Sequence, residues 1–237
     1  LVIPTGGLGM NTGVGDAIDL GWKLAGTLQG WGGPKLLASY EADRHPIGVR
    51  NVGASRYASL GRRKWRAQWR PEIRDRTPQG KWVRENLVRV ADVEQRKTNE
   101  MIGAELGYRY RNSPIIVEEP GEGPQDDLIK YVSTTWPGAR LPHVWLKGNV
   151  AVQDLVGAGY TLLRVGPAAK GDASAIARAF AKTGAPFGTL DVPDQIARDI
   201  YGFDYLLLRP DMHVVWRGQT LPENPDRLAA IATGNNT

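Results

Sequence analysis

Glycines crowded at the mouth of a helix constrain this chain more than any other feature. Residues 4–13 read Pro-Thr-Gly-Gly-Leu-Gly-Met-Asn-Thr-Gly. A helix is expected over residues 12–28, where Val14, Ile18, Gly21, Ala25 and Leu28 recur at helical spacing and form the stripe expected to face inward. Asn11 and Thr12 are the expected N-caps. A glycine there removes the side chain that would keep a ligand away. The first-turn amides of a helix have no partner within it, and that end carries roughly +0.5 of an elementary charge. Such an end suits an anion or a delocalised negative charge, whether a phosphate or the pyrimidine edge of a reduced flavin. The alternative is a glycine-rich turn that only lets the helix pack tightly. No Gly-Lys-Ser/Thr closes the loop, so it is not a Walker phosphate loop, and it does not match GxGxxG.

The rest of the composition narrows the field. The chain has 237 residues, 41% of them apolar and 23% charged, an ordinary balance for a folded chain. It has no cysteine, which excludes disulfides, thiolate metal sites and dithiol exchange within it. His45, His143 and His213 lie far apart, so no metal ligand set stands out. No apolar run approaches the ~20 residues of a membrane span. Much of the net charge of +5 comes from residues 62–76, which hold seven basic and two acidic residues around Trp65 and Trp69. A nucleic-acid surface can look like this. The favoured reading is a solvated face with its tryptophans packed inward, and no nucleic-acid partner is expected.

The pattern changes along the chain. A second helix starting near Pro34 carries Leu36, Leu37 and Tyr40; His45-Pro46 marks a break or kink, and a further helix follows over about 47–63. Residues 81–105 read as one long helix with Leu87, Val90, Val93 and Met101 inward. Residues 107–124 carry Tyr108, Tyr110 and a strand-like Ile115-Ile116-Val117, then a loop, as in a connecting segment. From Trp136 onward, strands at 160–165, 188–192, 205–208 and 214–216 alternate with helices at 173–182, 194–200 and 225–232. The order βαβαββα is that of a thioredoxin-like unit, although several α/β folds begin this way.

The longer string PTGGLGMNTGVGDAIDLGWKLAGTLQG, followed by LLASYEADRHP, resembles the second FAD-binding motif of flavoprotein aromatic hydroxylases with the para-hydroxybenzoate hydroxylase fold. The elements LGYRYRNSPII, PGARLPHVWL, DLVGAGYTLLRV and LLLRPDMHVVWR resemble the phenol, dichlorophenol, hydroxyphenylpropionate and polyketide hydroxylases that carry a C-terminal thioredoxin-like domain. The resemblance covers nearly the whole chain. It implies an α/β protein: a mostly helical C-terminal part of an FAD-binding domain over 1–106, a connecting segment over 107–136, and a thioredoxin-like domain over 137–237. It implies an oxidoreductase that uses FAD, NADPH or NADH, and O2 to hydroxylate a phenolic ring through a flavin C4a-hydroperoxide.

By the same resemblance Pro4 lies by the flavin, Gly6, Gly7, Leu8 and Gly9 run along it, and the amides of Met10 and Asn11 approach its N1/O2 edge. Asp16, Trp22, Lys23 and Leu24 take structural roles. No catalytic side chain stands out; His143 is a weak candidate, and Tyr108 and Tyr110 are assigned to packing between parts in preference to a place in a substrate pocket. The expected partners are the N-terminal FAD- and substrate-binding part of the same protein and a small aromatic substrate, with room for a homodimer. The expected setting is cytoplasmic, and the piece alone is expected to be inactive. Two other classes stand beside this reading: a thioredoxin-like scaffold without catalysis, and a basic nucleic-acid binder.

Overall fold

The structure is a computed structural model that describes residues 2–236. Its N-terminal part is helical. Helix α1 (Leu8–Leu28) leads into α2 (Pro34–Arg66), and α3 (Pro78–Asn99) returns along α2 before the short α4 (Ile102–Leu106). An α/β part follows: a small hairpin of β1 (Trp145–Leu146) and β2 (Val150–Ala151), one turn of α5 (Val152–Leu155), then β3 (Tyr160–Val165), α6 (Ser174–Thr183), β4 (Phe187–Val192), α7 (Gln195–Tyr201), β5 (Tyr205–Leu208), β6 (Val214–Gly218) and α8 (Pro225–Ala232).

The main sheet has the order β4-β3-β5-β6. Strands β3 and β4 run parallel, β5 is antiparallel to β3, and β6 is antiparallel to β5. Central strands buried on both faces read as unbroken apolar runs. Accordingly β5 (YLLL) is wholly buried, and β3 (YTLLRV) is buried except at Arg164. The turn between β5 and β6 forms at residues 209–212, where Met212 takes φ 63°.

The two parts share one core. Trp31 and Leu36, from the α1–α2 junction, pack with Tyr160, Phe180, Leu207, Val215 and Leu228. The C-terminal tail closes over this junction: Gly33 N–H donates to the Thr233 carbonyl at 2.9 Å, and the Asn235 side-chain amide donates to the Trp31 carbonyl at 3.0 Å.

Several sequence expectations are corrected. Helix α1 begins at Leu8, and its N-cap is Gly7 rather than Asn11 or Thr12. The stripe of Val14, Ile18, Gly21, Ala25 and Leu28 faces solvent, while Thr12, Asp19, Lys23 and Gly26 are buried. The apolar stripe is real, but the face held against α2 and the sheet is the polar one. Pro46 lies inside α2, which continues to Arg66 because Asp43, Arg44, Ile47 and Asn51 are packed on its inner face. The helix expected over 81–105 divides after Asn99, with Met101 buried and Val93 exposed. Ile115-Ile116-Val117 forms no sheet strand; Ile115 and Ile116 are buried, and Val117 N–H donates to the Val215 carbonyl. Trp65 is half-buried and Trp69 is exposed, so the basic run does not tuck both rings inward.

Candidate functional site

The glycine-rich loop turns sharply before α1. Gly6 and Gly7 have φ 87° and 69°, a left-handed conformation that a side chain disfavours. Gly7 N–H donates to the Pro4 carbonyl at 3.2 Å, closing the turn. No side chain caps the N-terminus of α1, and its first turn carries no acidic residue. The free first-turn amides and the positive end of the helix therefore point out of the protein. Asn11 sends its side-chain amide back to the Gly7 carbonyl at 3.0 Å.

Pro4, Gly6, Gly7, Gly9, Met10 and Asn11 all reach the surface around this helix end. The Leu8 side chain does not: it packs with Ala54, Ala58, Met101 and Ala104 and anchors the turn from below. Gly9 lies in the first helical turn without a positive φ, and a side chain there would meet Val2 only at ordinary contact distances of 3.5 Å and more. The conformational demand thus falls on Gly6 and Gly7. A cavity of about 360 Å³ opens beside the loop, lined by Gly6, Asn11, Thr12, Arg44, Asn51 and Tyr108 among others.

Behind the loop, α1 is braced by polar contacts. Thr12 Oγ1 donates to the Leu8 carbonyl at 2.6 Å and accepts from Asn51 Nδ2 at 2.8 Å. Arg44, on α2, is buried; its Nε donates to Asp16 at 2.8 Å, its Nη2 to the Thr12 carbonyl at 3.2 Å, and its Nη1 to the Tyr110 hydroxyl at 3.0 Å. Gly15 makes room for it, since a Cβ there would lie 2.7 Å from Arg44 Nη2.

Further along α1 lies a buried ionic cluster. Lys23 Nζ donates to Asp19 at 2.7 Å and to Asp43 at 2.8 Å. Arg209, fully buried, reaches in from the β5–β6 turn and donates to Asp19 at 2.5 Å, Asp43 at 2.8 Å and Asp211 at 2.5 Å. Trp22 Nε1 also donates to Asp211, at 3.2 Å, and His213 Nδ1 lies 3.3 Å from the same carboxylate. The Arg209 guanidinium sits 4.7 Å from the Tyr110 ring centroid, and the His213 ring 4.4 Å from it.

Three carboxylates face these cations, and burial acts on all of them. Burial alone pushes Asp211 up, but Arg209 and His213 outweigh it and hold it well below the usual carboxylate range. Asp43 is likewise lowered, with Arg209 and Lys23 overcoming burial. For Asp19 burial prevails over the same two cations, and its carboxyl is raised. Burial, reinforced by Arg209, lowers the Lys23 ammonium.

Sequence reasoning assigned Tyr110 to packing between the two parts, where it sits, and picked out the LLLRPDMHVVWR element, which holds Arg209 and Asp211, without finding its charge cluster. Asp19 and Lys23, spaced i, i+4 opposite the apolar stripe of α1, were the available signal. His143 is exposed, with its ring edge-on to Trp145. Among the described residues no helix is long and apolar enough to cross a membrane.

An uncapped glycine-rich helix end, fastened to an α/β unit through buried ion pairs, is the frame in which the relatives fall. Residues 1–55 match the family model described as FAD binding domain, and residues 134–234 match that described as aromatic-ring hydroxylase, C-terminal. An FAD-dependent monooxygenase of Emericella nidulans is 33% identical, over 98% of this chain and 39% of its own length. The phenol 2-monooxygenase of a Pseudomonas species is 29% identical, over 94% of this chain and 42% of its own. The solved structure of the rebeccamycin biosynthetic enzyme RebC with reduced flavin superposes with a TM-score of 0.88 at 34% identity, over 99% of this chain and 43% of that one. The chain thus carries a stretch of the FAD binding domain family and one of the aromatic-ring hydroxylase C-terminal family, and nearly its whole length lines up with part of FAD-dependent monooxygenases. It spans about two fifths of the length of the curated relatives it matches.

Proposed function

We propose that this chain is the part of an FAD-dependent aromatic monooxygenase that presents a helix end to the flavin. The observation that carries the reading is the uncapped N-terminus of α1, entered through left-handed Gly6 and Gly7, within the stretch that matches an FAD binding domain. The residues present fit such a group: Gly7 leaves open space where a side chain would project, with nothing within 4 Å.

The cofactor contacts are Pro4, Gly6, Gly7, Leu8 through its backbone, Gly9, Met10 and Asn11. When bound, FAD supplies the redox chemistry, taking reducing equivalents from NADPH or NADH and using O2 to hydroxylate a small phenolic or other aromatic substrate. The chain's own residues bind and orient. The first-turn amides donate toward the ring edge where negative charge accumulates on reduction, and the fixed positive helix end favours that charge without reorganising. Leu8 and the Thr12–Asn51 contact hold these donors in place.

The remainder of the same protein supplies the other cofactor contacts and the substrate pocket, so this piece alone is inactive. It also covers the apolar stripe of α1, where Leu28 is 86% and Ile18 is 56% exposed. The chain divides into the helical part of the FAD-binding domain (1–106), a connecting segment (107–136) and an α/β unit (137–237). The unit is read as thioredoxin-like from its strand order and directions. Without cysteine its work is scaffolding, including contact between the protomers of a homodimer, and the setting is cytoplasmic. The test is to purify the longer parent and measure bound flavin and oxygenated product with a panel of phenols. Flavin in stoichiometric amount with hydroxylated product is expected; a flavin-free folded protein would refute the reading.

A further inference from the structure

We propose that Arg44 is a positioning residue for the flavin-facing end of α1, and that the C-terminal α/β unit sets its place through Tyr110 and Arg209. The inference rests on the reading of that helix end as the flavin site.

Arg44 belongs to α2, yet every bond its guanidinium donates is to another segment. Two go to the first turns of α1, at Thr12 and Asp16, and one goes to Tyr110 in the connecting segment. A guanidinium suits this work because its donors form a rigid planar fork, whereas an ammonium is a point charge on a flexible stem. The absence of a side chain at Gly15 is what lets the fork lie against α1. Tyr110 in turn has no freedom of its own. Burial pushes its phenol well up, so the ring stays neutral, and it is wedged against Arg209 and His213 of the β5–β6 turn. The position of Arg44 therefore follows the position of that turn.

A second link runs in parallel. Arg209 also holds Asp19, which lies about 16 Å along the helix axis from Leu8 at the usual 1.5 Å rise per residue. A helix held at two points along its length can neither slide nor roll, so its amide end is fixed against the α/β unit. Register of this kind is what directional contacts supply. For stability alone, an apolar plug often serves as well as a buried ion cluster. Donors that are off by about 1 Å lose much of their effect on a reacting group, so register at this end bears on the chemistry.

The experiment uses the longer parent as holoenzyme. Tyr110→Phe removes the hydroxyl that receives Arg44 but keeps the ring on Arg209; Tyr201→Phe removes a comparable buried hydroxyl, bonded to the Pro142 carbonyl, elsewhere in the α/β unit. Three quantities are read for each: the midpoint potential of the bound flavin, the share of NAD(P)H consumed that yields peroxide rather than product, and the thermal midpoint. Tyr110→Phe is expected to lower the potential, since a displaced helix end favours the reduced anion less. It should also raise the peroxide share by about two- to tenfold. Tyr201→Phe should lower the thermal midpoint only. Wild-type potential and peroxide share in Tyr110→Phe would overturn the inference and leave the flavin reading standing. A folded wild-type parent without flavin would overturn the reading itself.

Discussion

Arg209 Nη2 lies 2.5 Å from Oδ1 of Asp19, a residue 190 positions earlier in the chain, and both side chains are fully withdrawn from water. Removing one partner of such a pair leaves an uncompensated buried charge, which typically costs about 3–5 kcal/mol. Arg209→Met also takes a cation from Asp43 and Asp211, leaving Lys23 to face both Asp19 and Asp43. The expected result in chemical denaturation is a loss at the upper end of that range, together with separation of the single transition into two as α1 and α2 come away from the sheet. A single transition with an unchanged midpoint would show that the cluster does not join the two parts.

The carboxylates of the cluster differ in sign. Asp43 and Asp211 are held below the ordinary aspartate value of 3.8, so their contribution is complete above that value and is lost as pH falls through their depressed pKa values. Asp19 is raised: it takes up a proton more readily in the folded chain than in the unfolded one, and its contribution declines as pH rises from 3.8 toward its folded value. At neutral pH, Asp19→Asn should therefore cost less than Asp211→Asn. Parallel urea titrations at pH 7 and at about pH 2.5, below the ordinary aspartate value, check this. The Asp211→Asn deficit should shrink in acid, and an Asp19→Asn deficit equal to it at pH 7 would contradict the assignment.

Much of the α/β unit was legible in the sequence, because β3 and β5 are unbroken apolar runs bounded by turn residues and α8 opens on a proline. The helical part was less so. Val14, Ile18 and Leu28 were read as a core stripe on the premise that apolar residues face inward. That premise fails here, because the face packed within the chain is made of Asp19 and Lys23, whose charges are neutralised by residues that lie close in the fold and far off in sequence. Pro46 signalled a break that the packing of Arg44 and Ile47 overrides. The glycine-rich loop lies at the mouth of α1 as its sequence suggests, but nothing in the sequence singles out Gly6 and Gly7 as the left-handed residues. Which glycine carries a positive φ depends on where the helix starts, and helix boundaries are the least legible feature of a sequence.

The solvent-facing stripe of α1 makes a further prediction for the chain in isolation. Exposed apolar residues in line promote association. Ile18→Lys should reduce self-association in light scattering without lowering the thermal midpoint, because Ile18 makes no core contact here. In the longer parent the same change should be destabilising, as it would place a charge in an interface. Equal tolerance in both contexts would mean that nothing covers the stripe.

The most direct test compares Gly7→Ala with Gly9→Ala in the longer parent, measuring bound FAD per chain by visible absorbance alongside the thermal midpoint. Gly7 has φ 69° and open space where a Cβ would point; Gly9 has ordinary helical geometry and ordinary contacts. A left-handed alanine costs about 1–2 kcal/mol of folding stability, so a flavin effect must exceed that to be specific. The prediction is that Gly7→Ala lowers FAD content severalfold in protein that remains folded, and that Gly9→Ala, at a contact made through the backbone, lowers it less. Wild-type FAD content in a folded Gly7→Ala protein would contradict the placement of the flavin at this helix end.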